Sequence, residues 1–404
     1  MSQKKFFVVI ALILLVGIGF ALFFWLRSDD PRSAVVPDDT GSDLFPFGPG
    51  TGSVQPGGGT VRPGGDNQVI DLGSNVGTVD RLRKLSDDEV SGAVITTRNN
   101  VYTVRYMDRA TGHVFESDAD TMVRTKISNS TMPQIYEAVW ASSGNEFVAR
   151  YLKEDGGIIQ TFYGRLSTST PLEGYFLPAN LREISVASNT LGYLDPTRPG
   201  VLMRSDIDGT DRSVVANLYT DEWLVQQVSP TKVLVGTKPS GTLGGDLYLL
   251  DVSNGSKRKI IRDVLGLTGI ANTDATWVFA SAQERGGIVS ALYSVVDNRF
   301  VNLGLSTLSD KCVWGEKDRS FVYCAVPTTV RQGTYPDDWY QGLVTFEDRL
   351  WKIGVQDGMT DLVLDPSIEE GVDMDMTKLD ISTDDSKIIF INKSDSSLWV
   401  LDLK

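Results

Sequence analysis

The chain repeats one pattern of apolar and polar positions seven times between residues 90 and 404. Each copy has a few apolar residues, a short polar turn and a strongly apolar, β-rich run such as VYTVRYMD or FVYCAV. The turns fall near Asn99, Gly144, Asn189, Pro230, Asp274, Lys317 and Asp384. A period of about 40–50 residues with four strands per unit is typical of a β-propeller. The pattern therefore predicts an all-β fold, a seven-bladed β-propeller of four-stranded antiparallel blades over residues 78–404.

The last repeat is shorter than the others, because only two strands fit between Asp384 and residue 404. A propeller that ended there would leave an unpaired strand edge, which ring closure removes. Residues 78–86 (TVDRLRKLS), directly before the first repeat, resemble the outer strand MVRTKIS at residues 122–128. We therefore predict that residues 78–86 supply the outer strand of the last blade. The alternative is a frayed strand at the start of the domain.

An apolar segment near the start of the chain predicts a membrane anchor. Residues 6–26 are 21 uncharged residues, which as a transmembrane α-helix would span roughly 31 Å, about one hydrocarbon core. Lys4 and Lys5 precede them, so the positive-inside rule places residues 1–5 in the cytoplasm. A cleaved signal peptide is the alternative, but its apolar region is shorter and ends in small residues.

The segment after the predicted anchor differs sharply in composition. Residues 27–77 contain 11 Gly and 6 Pro, which predicts a disordered linker. The expected protein is thus a single-pass membrane protein with a cytoplasmic N-terminus. Its propeller is expected outside the cytoplasm, at the cell surface or in the periplasm.

Strand and turn motifs carry a resemblance to known propellers. The strands LYLLD at residues 247–251 and LWVLD at residues 398–402 share a Leu-Tyr/Trp-x-x-Asp pattern, and residues 206–209 form a DIDG turn. With its period and these motifs, the chain resembles the seven-bladed propellers of the TolB-type and wider WD-repeat-like group over residues 78–404. The Trp-Asp dipeptide of true WD repeats is absent from the sequence. The resemblance implies a protein-binding platform more than an enzyme.

The balance of charges excludes one class of partner. The 404 residues include 38 Lys and Arg against 52 Asp and Glu, a formal net charge of −14. A nucleic-acid-binding surface needs a basic stripe that neutralises phosphates. We therefore expect no nucleic-acid partner, and the excess of acidic residues is typical of a domain kept soluble by its charge.

Few residues of the sequence point to catalysis or to metal binding. His113 is the single histidine, and no Gly-x-Ser-x-Gly motif accompanies it, so a Ser-His-Asp site is not indicated. One histidine and two cysteines are too few for an ordinary zinc site. The acidic turn at residues 206–211 lacks the glutamate that completes an EF-hand loop. We therefore predict no catalytic residue, metal or cofactor, although chance pairs among the acidic side chains leave carboxylate catalysis open.

Two cysteines lie in the sixth repeat, Cys312 in its first strand and Cys324 in its second. The short turn between these strands places them opposite or nearly opposite each other, at a separation that suits a disulfide. In a domain outside the cytoplasm this predicts a structural disulfide. The alternatives are two buried thiols, or a one-residue register shift that sends the side chains to opposite faces.

One loop is much longer than its counterparts. It joins the second and third strands of the sixth repeat over residues 327–347 and contains Tyr335, Asp337, Asp338, Trp339 and Tyr340. Long loops are usually functional or disordered, and aromatic residues argue against disorder. We therefore predict a binding site at this loop, with Asp195, Arg198, Glu284 and Arg285 on the same face. The alternative is that Trp339 and Tyr340 plug the central channel or cap a blade.

Three functional hypotheses follow from this loop. The first is a non-enzymatic, membrane-anchored, extracytoplasmic scaffolding propeller in which Trp and Tyr anchor a protein partner. The second is a glycan or cell-wall-binding propeller in which the same aromatics stack on sugar rings. The third is a glycoside hydrolase or lyase with acidic catalytic residues, which would need two carboxylates converging in a cleft.

Overall fold

The computed structural model describes residues 80–99, 101–153, 157–167 and 172–403. Within these ranges the chain forms seven four-stranded antiparallel sheets, and the predicted seven-bladed propeller is confirmed. The predicted cytoplasmic residues 1–5, transmembrane helix 6–26 and linker 27–77 lie outside the described residues and stay predictions. In the part of the chain that is described, no helix is long and apolar enough to cross a membrane.

The first three blades each take four successive strands of the chain. Blade one is β2–β5, blade two is β6–β9 and blade three is β10–β13. In chain order these strands are Val90–Arg98, Val101–Asp108, Val114–Asp118, Arg124–Lys126, Ile135–Trp140, Glu146–Leu152, Ile159–Arg165, Glu173–Phe176, Ile184–Ala187, Thr190–Leu194, Val201–Asp206 and Ser213–Asn217.

The next three blades follow the same rule. Blade four is β14–β17, blade five is β18–β21 and blade six is β22–β25. In chain order these strands are Trp223–Ser229, Lys232–Thr237, Gly244–Asp251, Ser256–Leu265, Thr268–Ala271, Trp277–Glu284, Gly287–Ser294, Arg299–Asn302, Cys312–Trp314, Phe321–Pro327, Asp348–Gly354 and Thr360–Leu364.

Blade seven combines both ends of the propeller. It consists of β26 (Met376–Ile381), β27 (Lys387–Asn392), β28 (Leu398–Asp402) and, as its outer strand, β1 (Leu82–Ser86). Among the described residues, three short helices accompany the strands: a 3₁₀ turn at Ser309–Lys311, α1 at Asp337–Tyr340 and α2 at Pro366–Glu369.

The first strands of neighbouring blades contact one another around the ring. β2 contacts β6 and β26, and β14 contacts β10 and β18. These strands therefore line the central channel.

The hydrophobic core lies between neighbouring blades. In one cluster, Ile389 and Val400 of blade seven pack with Val90 and Tyr106 of blade one. Second strands are covered on both faces, so that all six residues of β27 are buried. Burial on both faces explains why these segments read as continuous apolar runs in the sequence.

The outer strand of blade seven joins the two ends of the propeller. β1 pairs antiparallel with β28, so that Leu82 lies opposite Leu401. Arg83 binds Asp402 through an ion pair of 2.7 Å and donates a hydrogen bond of 2.9 Å to the carbonyl oxygen of Ala119 in blade one. This strand therefore completes blade seven and ties it to its neighbour.

The two cysteines are bonded across a strand pair. Cys312 of β22 lies directly opposite Cys324 of β23, with a Cα–Cα distance of 4.1 Å and an S–S distance of 2.08 Å. The bond closes a loop with a sequence separation of 12 residues at the innermost edge of blade six. It therefore fixes the start of blade six, directly after Asp310 and Lys311.

Removal of this disulfide should lower stability measurably. For a loop of this length the chain-entropy model gives about 3 kcal/mol at 25 °C. We expect the double variant Cys312→Ala/Cys324→Ala to lose about 2–3 kcal/mol in the free energy of unfolding. Urea titrations of oxidised wild type, reduced wild type and the variant measure this. Equal midpoints for the oxidised and reduced wild type would contradict it.

Candidate functional site

The long loop of blade six folds back onto the propeller. α1 lies in this loop, between the end of β23 at Pro327 and the start of β24 at Asp348. Tyr335 and Trp339 are only 1% and 4% exposed, because they pack with Ile288, Leu308 and Phe346. Two of the aromatic side chains predicted to bind a partner are therefore part of the core, where they cap the blades.

A buried group of charges holds Trp339 in place. Lys311 Nζ lies 2.7 Å from Asp348 Oδ2 and also pairs with Asp375, and none of the three side chains is exposed. Trp339 Nε1 donates a hydrogen bond of 3.0 Å to Asp375 Oδ2. Burial raises the pKa of Asp348 to about 6, although the charge of Lys311 acts in the opposite direction. We call Lys311, Asp348 and Asp375 the buried triad, and it anchors the loop.

The two acidic residues of α1 accept hydrogen bonds that hold the loop in place. Asp337 Oδ2 accepts a hydrogen bond of 2.7 Å from the backbone N–H of Gly241 in blade four. Asp338 Oδ2 accepts one of 2.8 Å from the N–H of Thr334. These carboxylates therefore order the loop against its surroundings.

The remaining predicted binding residues lie on other blades. Asp195 and Arg198 form an ion pair of 2.7 Å with each other in the loop between β11 and β12 of blade three. Glu284 and Arg285 are exposed at the tip of the β19–β20 hairpin of blade five, 4.0 Å apart. The predicted residues are thus spread over three blades, and among them Tyr340 reaches toward the channel.

A cavity of about 200 Å³ lies against the first strands of blades four and five. Glu183, directly before β10, and Asp310, just before β22, line it together with Gln226 of β14. In an antiparallel blade, connections from one blade to the next lie on the same face as loops between second and third strands. The blade-six loop therefore shares this face, and we call Glu183, Asp310 and Tyr340 the channel-mouth site.

Tyr340 and Asp310 are joined directly. The Tyr340 hydroxyl donates a hydrogen bond of 3.0 Å to Asp310 Oδ1, while 42% of the Tyr340 side chain remains exposed. The second oxygen of Asp310, Oδ2, is enclosed and has no hydrogen-bond partner among the described residues. An enclosed carboxylate oxygen without a partner is costly in a protein, and such groups mark candidate functional sites.

The protonation equilibria of the site are shifted together. Burial raises the pKa of Glu183 to about 7, with Arg150 opposing the shift. Burial also raises the pKa of Asp310. Desolvation of its hydroxyl group and the charges of Asp310 and Glu183 hold the pKa of Tyr340 well above its ordinary value. Tyr340 is thus the group of the channel-mouth site that responds to both carboxylates.

This arrangement can move protons at neutral pH. A carboxyl group with a pKa near 7 is available both as a proton donor and as a proton acceptor.

Within the described ranges, no three His, Cys, Asp or Glu side chains are placed so that they could hold a metal ion. His113 lies on blade one, where its ring is 3.3 Å from the Thr131 hydroxyl. The titratable groups that we assign to the channel-mouth site are therefore the carboxyl groups of Glu183 and Asp310 and the phenol of Tyr340.

Comparison with known proteins gives the fold but no family. No protein-family model matches the chain, and a search of the curated proteins found no match. An oligogalacturonate lyase in complex with manganese is 11% identical, covering 84% of this chain and 98% of the lyase, with a TM-score of 0.55. The oligogalacturonate lyase from Vibrio parahaemolyticus is 10% identical, with the coverages 84% and 98% and a TM-score of 0.56.

TolB from Acinetobacter baumannii is also similar, with 12% identity, coverage of 73% of this chain and 60% of TolB, and a TM-score of 0.40. The seven four-stranded sheets confirm the TolB-type, WD-repeat-like resemblance at the level of the fold. At these identities the similarity shows the fold alone.

The prediction of a non-enzymatic scaffolding propeller for protein–protein interaction is wrong. It depended on the expectation that propellers of this group act as binding platforms, whereas the two lyases with this fold are enzymes. One fold supports many activities, so function has to be argued from the residues of the site.

Proposed function

We propose that the channel-mouth site is an acid–base catalytic site for a neutral, hydroxyl-rich substrate such as a glycan. One observation carries the proposal: Glu183, with a pKa of about 7, lines the same cavity as Asp310, whose carboxylate is bound to Tyr340. Two carboxyl groups in different environments can take the separate roles of proton donor and proton acceptor.

Charge and shape support a neutral substrate. The chain has a net charge of −14, and the cavity itself is lined by two acidic side chains. The excess of negative charge on the chain and the carboxylate of Asp310 repel an anionic chain such as a polyuronate. The exposed part of the Tyr340 side chain offers an aromatic surface for a sugar ring. A cavity of about 200 Å³ is below the ~300–1,000 Å³ of drug-sized ligand sites, so it suits a single sugar unit.

The proposed reaction is hydrolysis of a glycosidic bond. Protonated Glu183 donates its proton to the leaving oxygen, and the carboxylate of Asp310 accepts a proton from the attacking water. The Tyr340 hydroxyl holds Asp310 in position through their hydrogen bond of 3.0 Å. The raised pKa of Tyr340 keeps this hydroxyl protonated, so that it remains a donor.

Replacement of Glu183 tests the proposal. The full chain is incubated with a panel of neutral oligosaccharides and with oligogalacturonate, and both new reducing ends and unsaturated products are measured. We expect cleavage of a neutral substrate without unsaturated product, and a rate about 100-fold lower in Glu183→Gln, as is typical for loss of a general acid. Activity should fall as pH rises through 7, because Glu183 then loses the proton that it donates.

A matched variant controls for changes of surface charge. Glu89 stands directly before β2 as Glu183 stands before β10, but it is exposed and lies 3.8 Å from Arg109. Glu89→Gln should keep wild-type activity. Full activity in Glu183→Gln, exclusive cleavage of oligogalacturonate, or no turnover of any neutral substrate would each contradict the proposal.

A further inference from the structure

The outer strand of blade four carries a concentrated group of positive charges. β17 reads SKRKIIRDVL, and four exposed basic residues lie on it: Lys257, Arg258, Lys259 and Arg262. The chain as a whole has a net charge of −14, so this group is an exception to its acidic balance. Short segments rich in Lys and Arg are typical of surfaces that bind nucleic acids or sulfated polysaccharides. We call these four residues the basic array.

Strand geometry spreads the array along a line. β17 is the outermost strand of its sheet, so one of its backbone edges has no partner strand within the blade. Lys257 and Arg258 lie opposite Leu250 and Leu249 of β16, and their side chains therefore point to opposite faces of the blade. At about 3.3 Å per residue, Lys257 and Arg262 are separated by roughly 16 Å. The array thus matches a linear ligand better than a single small ion.

Most of these charges are not neutralised within the protein. In the part of the chain that is described, Lys259 is the one member of the array that pairs with a carboxylate, 2.6 Å from Asp246. Arg258 donates a hydrogen bond to the side-chain oxygen of Asn298, which carries no charge. Neighbouring cations without counter-charges repel one another, and an anion bound along the strand relieves that repulsion.

The surroundings of the array disfavour nucleic acids and membranes. Single-stranded nucleic acids stack their bases on aromatic rings, but the ring of Tyr248 is covered by the array itself. The Nζ atoms of Lys257 and Lys259 lie 4.5 and 5.1 Å from its centroid. Basic segments that bind membranes also insert apolar side chains. Ile260 and Ile261, which separate the basic residues, are buried in the core between blades four and five instead.

We propose that the basic array binds a linear polymer that carries sulfate or phosphate groups. The placement carries this assignment: four exposed cations within six residues of an open strand edge, three of them without a carboxylate partner among the described residues. The oxygens of a sulfate or phosphate group point in several directions, so one group can accept hydrogen bonds from side chains on both faces of the strand.

The inference does not depend on the acid–base role of Glu183. β17 is the outer strand of blade four, whereas the cavity of the channel-mouth site lies against the inner strands of blades four and five. Binding of a polymer at the array can therefore be measured whether or not the protein cleaves a glycan.

Equilibrium binding of the full chain to fluorescent polymers tests the proposal. Dextran sulfate, inorganic polyphosphate, single-stranded DNA and neutral dextran are compared by fluorescence anisotropy over a range of salt concentrations. We expect binding of dextran sulfate or polyphosphate, the tighter of which identifies the preferred group, and no binding of neutral dextran. The logarithm of the affinity should fall with the logarithm of the salt concentration with a slope of roughly −2 to −3, because about three or four cations displace counterions.

Two variants with the same loss of charge show whether the array is the binding site. Lys257→Gln/Arg258→Gln/Arg262→Gln should bind at least about tenfold more weakly, and its salt slope should be smaller by about 2. The control removes three cations from exposed positions of blades one, five and six, in the variant Lys126→Gln/Arg285→Gln/Lys317→Gln. This control should bind as tightly as the wild type.

Asp263 allows a test in the opposite direction. It directly follows Arg262, is exposed and has a φ of 53°, a conformation that asparagine also adopts. Asp263→Asn removes a negative charge beside the array, so we expect about threefold tighter binding, a gain that a folding defect does not produce. Equal losses in the two triple variants, tighter binding of single-stranded DNA than of both charged polymers, or no binding of either charged polymer would overturn the proposal.

Discussion

Replacement of Lys311 by methionine should lower the free energy of unfolding by about 3–5 kcal/mol. Lys311 is the single cation of the buried triad, and it lies 2.7 Å from Asp348 and pairs with Asp375. Methionine fills a similar volume but leaves two enclosed carboxylates side by side without a counter-charge. Asp348 Oδ1 has no hydrogen-bond partner among the described residues, and without Lys311 this carboxylate would keep only the bond of 2.7 Å that Oδ2 accepts from the Met376 N–H.

The loss of stability in Lys311→Met should depend on pH in a defined direction. In the folded wild type the pKa of Asp348 is about 6, above the value of an unfolded aspartate, so the folded state binds the proton more tightly. Stability therefore increases as pH falls from 6 toward 4. Without Lys311 the pKa of Asp348 rises further, because the charge of Asp375 is no longer opposed. The destabilisation of Lys311→Met should accordingly be larger at pH 8 than at pH 5.

Urea titrations at pH 5 and pH 8 measure both effects. Lys238→Met is the matched control, because Lys238 pairs with Glu222 at the surface with 62% of its side chain exposed. An exposed pair of this kind contributes less than about 1 kcal/mol. A loss below about 1 kcal/mol in Lys311→Met, or a loss that does not change with pH, would show that the triad does not anchor the loop.

The blades could be predicted from the sequence because each second strand is buried on both faces. Burial on two faces produces an uninterrupted apolar run such as KIIFIN, and seven such runs, separated by similar intervals except where the long loop lies before the last, leave few alternatives. The pairing of Cys312 with Cys324 could be predicted for a similar reason, since a short hairpin limits the register of its two strands. These are local properties, in which the interacting residues are close in the chain.

The direction of the long loop could not be predicted, because its partners are distant in the chain. Trp339 is buried because its indole N–H meets Asp375, 36 residues later, in a group completed by Lys311. An aromatic loop with no such partners would have the same local sequence and could remain exposed. The sequence alone therefore left both interpretations of Trp339 open.

The channel-mouth site was missed for the same reason. Glu183 and Asp310 come from different blades, and both appear in the sequence as ordinary surface acids. One signal was available: an acidic residue stands directly before the first strand of four blades, at Glu89, Glu183, Glu222 and Asp375. Once the repeat is aligned, these residues all fall at one end of the channel. Which of these four acidic residues lines a cavity still depends on how deeply each is buried, and an alignment of the repeats does not show burial.

Replacement of Leu82 by aspartate should detach the outer strand of blade seven and weaken the packing of blade seven on blade six. Leu82 is 2% exposed, lies opposite Leu401 and packs with Ile388 and Phe390 of blade seven. Loss of a buried leucine costs about 2–5 kcal/mol, and an unpaired buried carboxylate adds to that cost. We expect a loss of at least about 4 kcal/mol, or a protein that does not fold at 37 °C.

Val214→Asp is the control for Leu82→Asp. It also places a new charge on an outer strand, but that strand does not join the two ends of the propeller. Val214 lies on β13, the outer strand of blade three, and is 54% exposed, so this variant should lose less than about 1 kcal/mol. Where Leu82→Asp still folds, hydrogen exchange locates the damage: amides of β28 should lose protection, because β1 is their pairing partner, while those of β11 in blade three keep it. Similar losses in both variants would mean that the outer strand of blade seven stabilises the ring no more than any other outer strand. A selective loss at β28 would show that a strand from before the first blade holds the last blade closed.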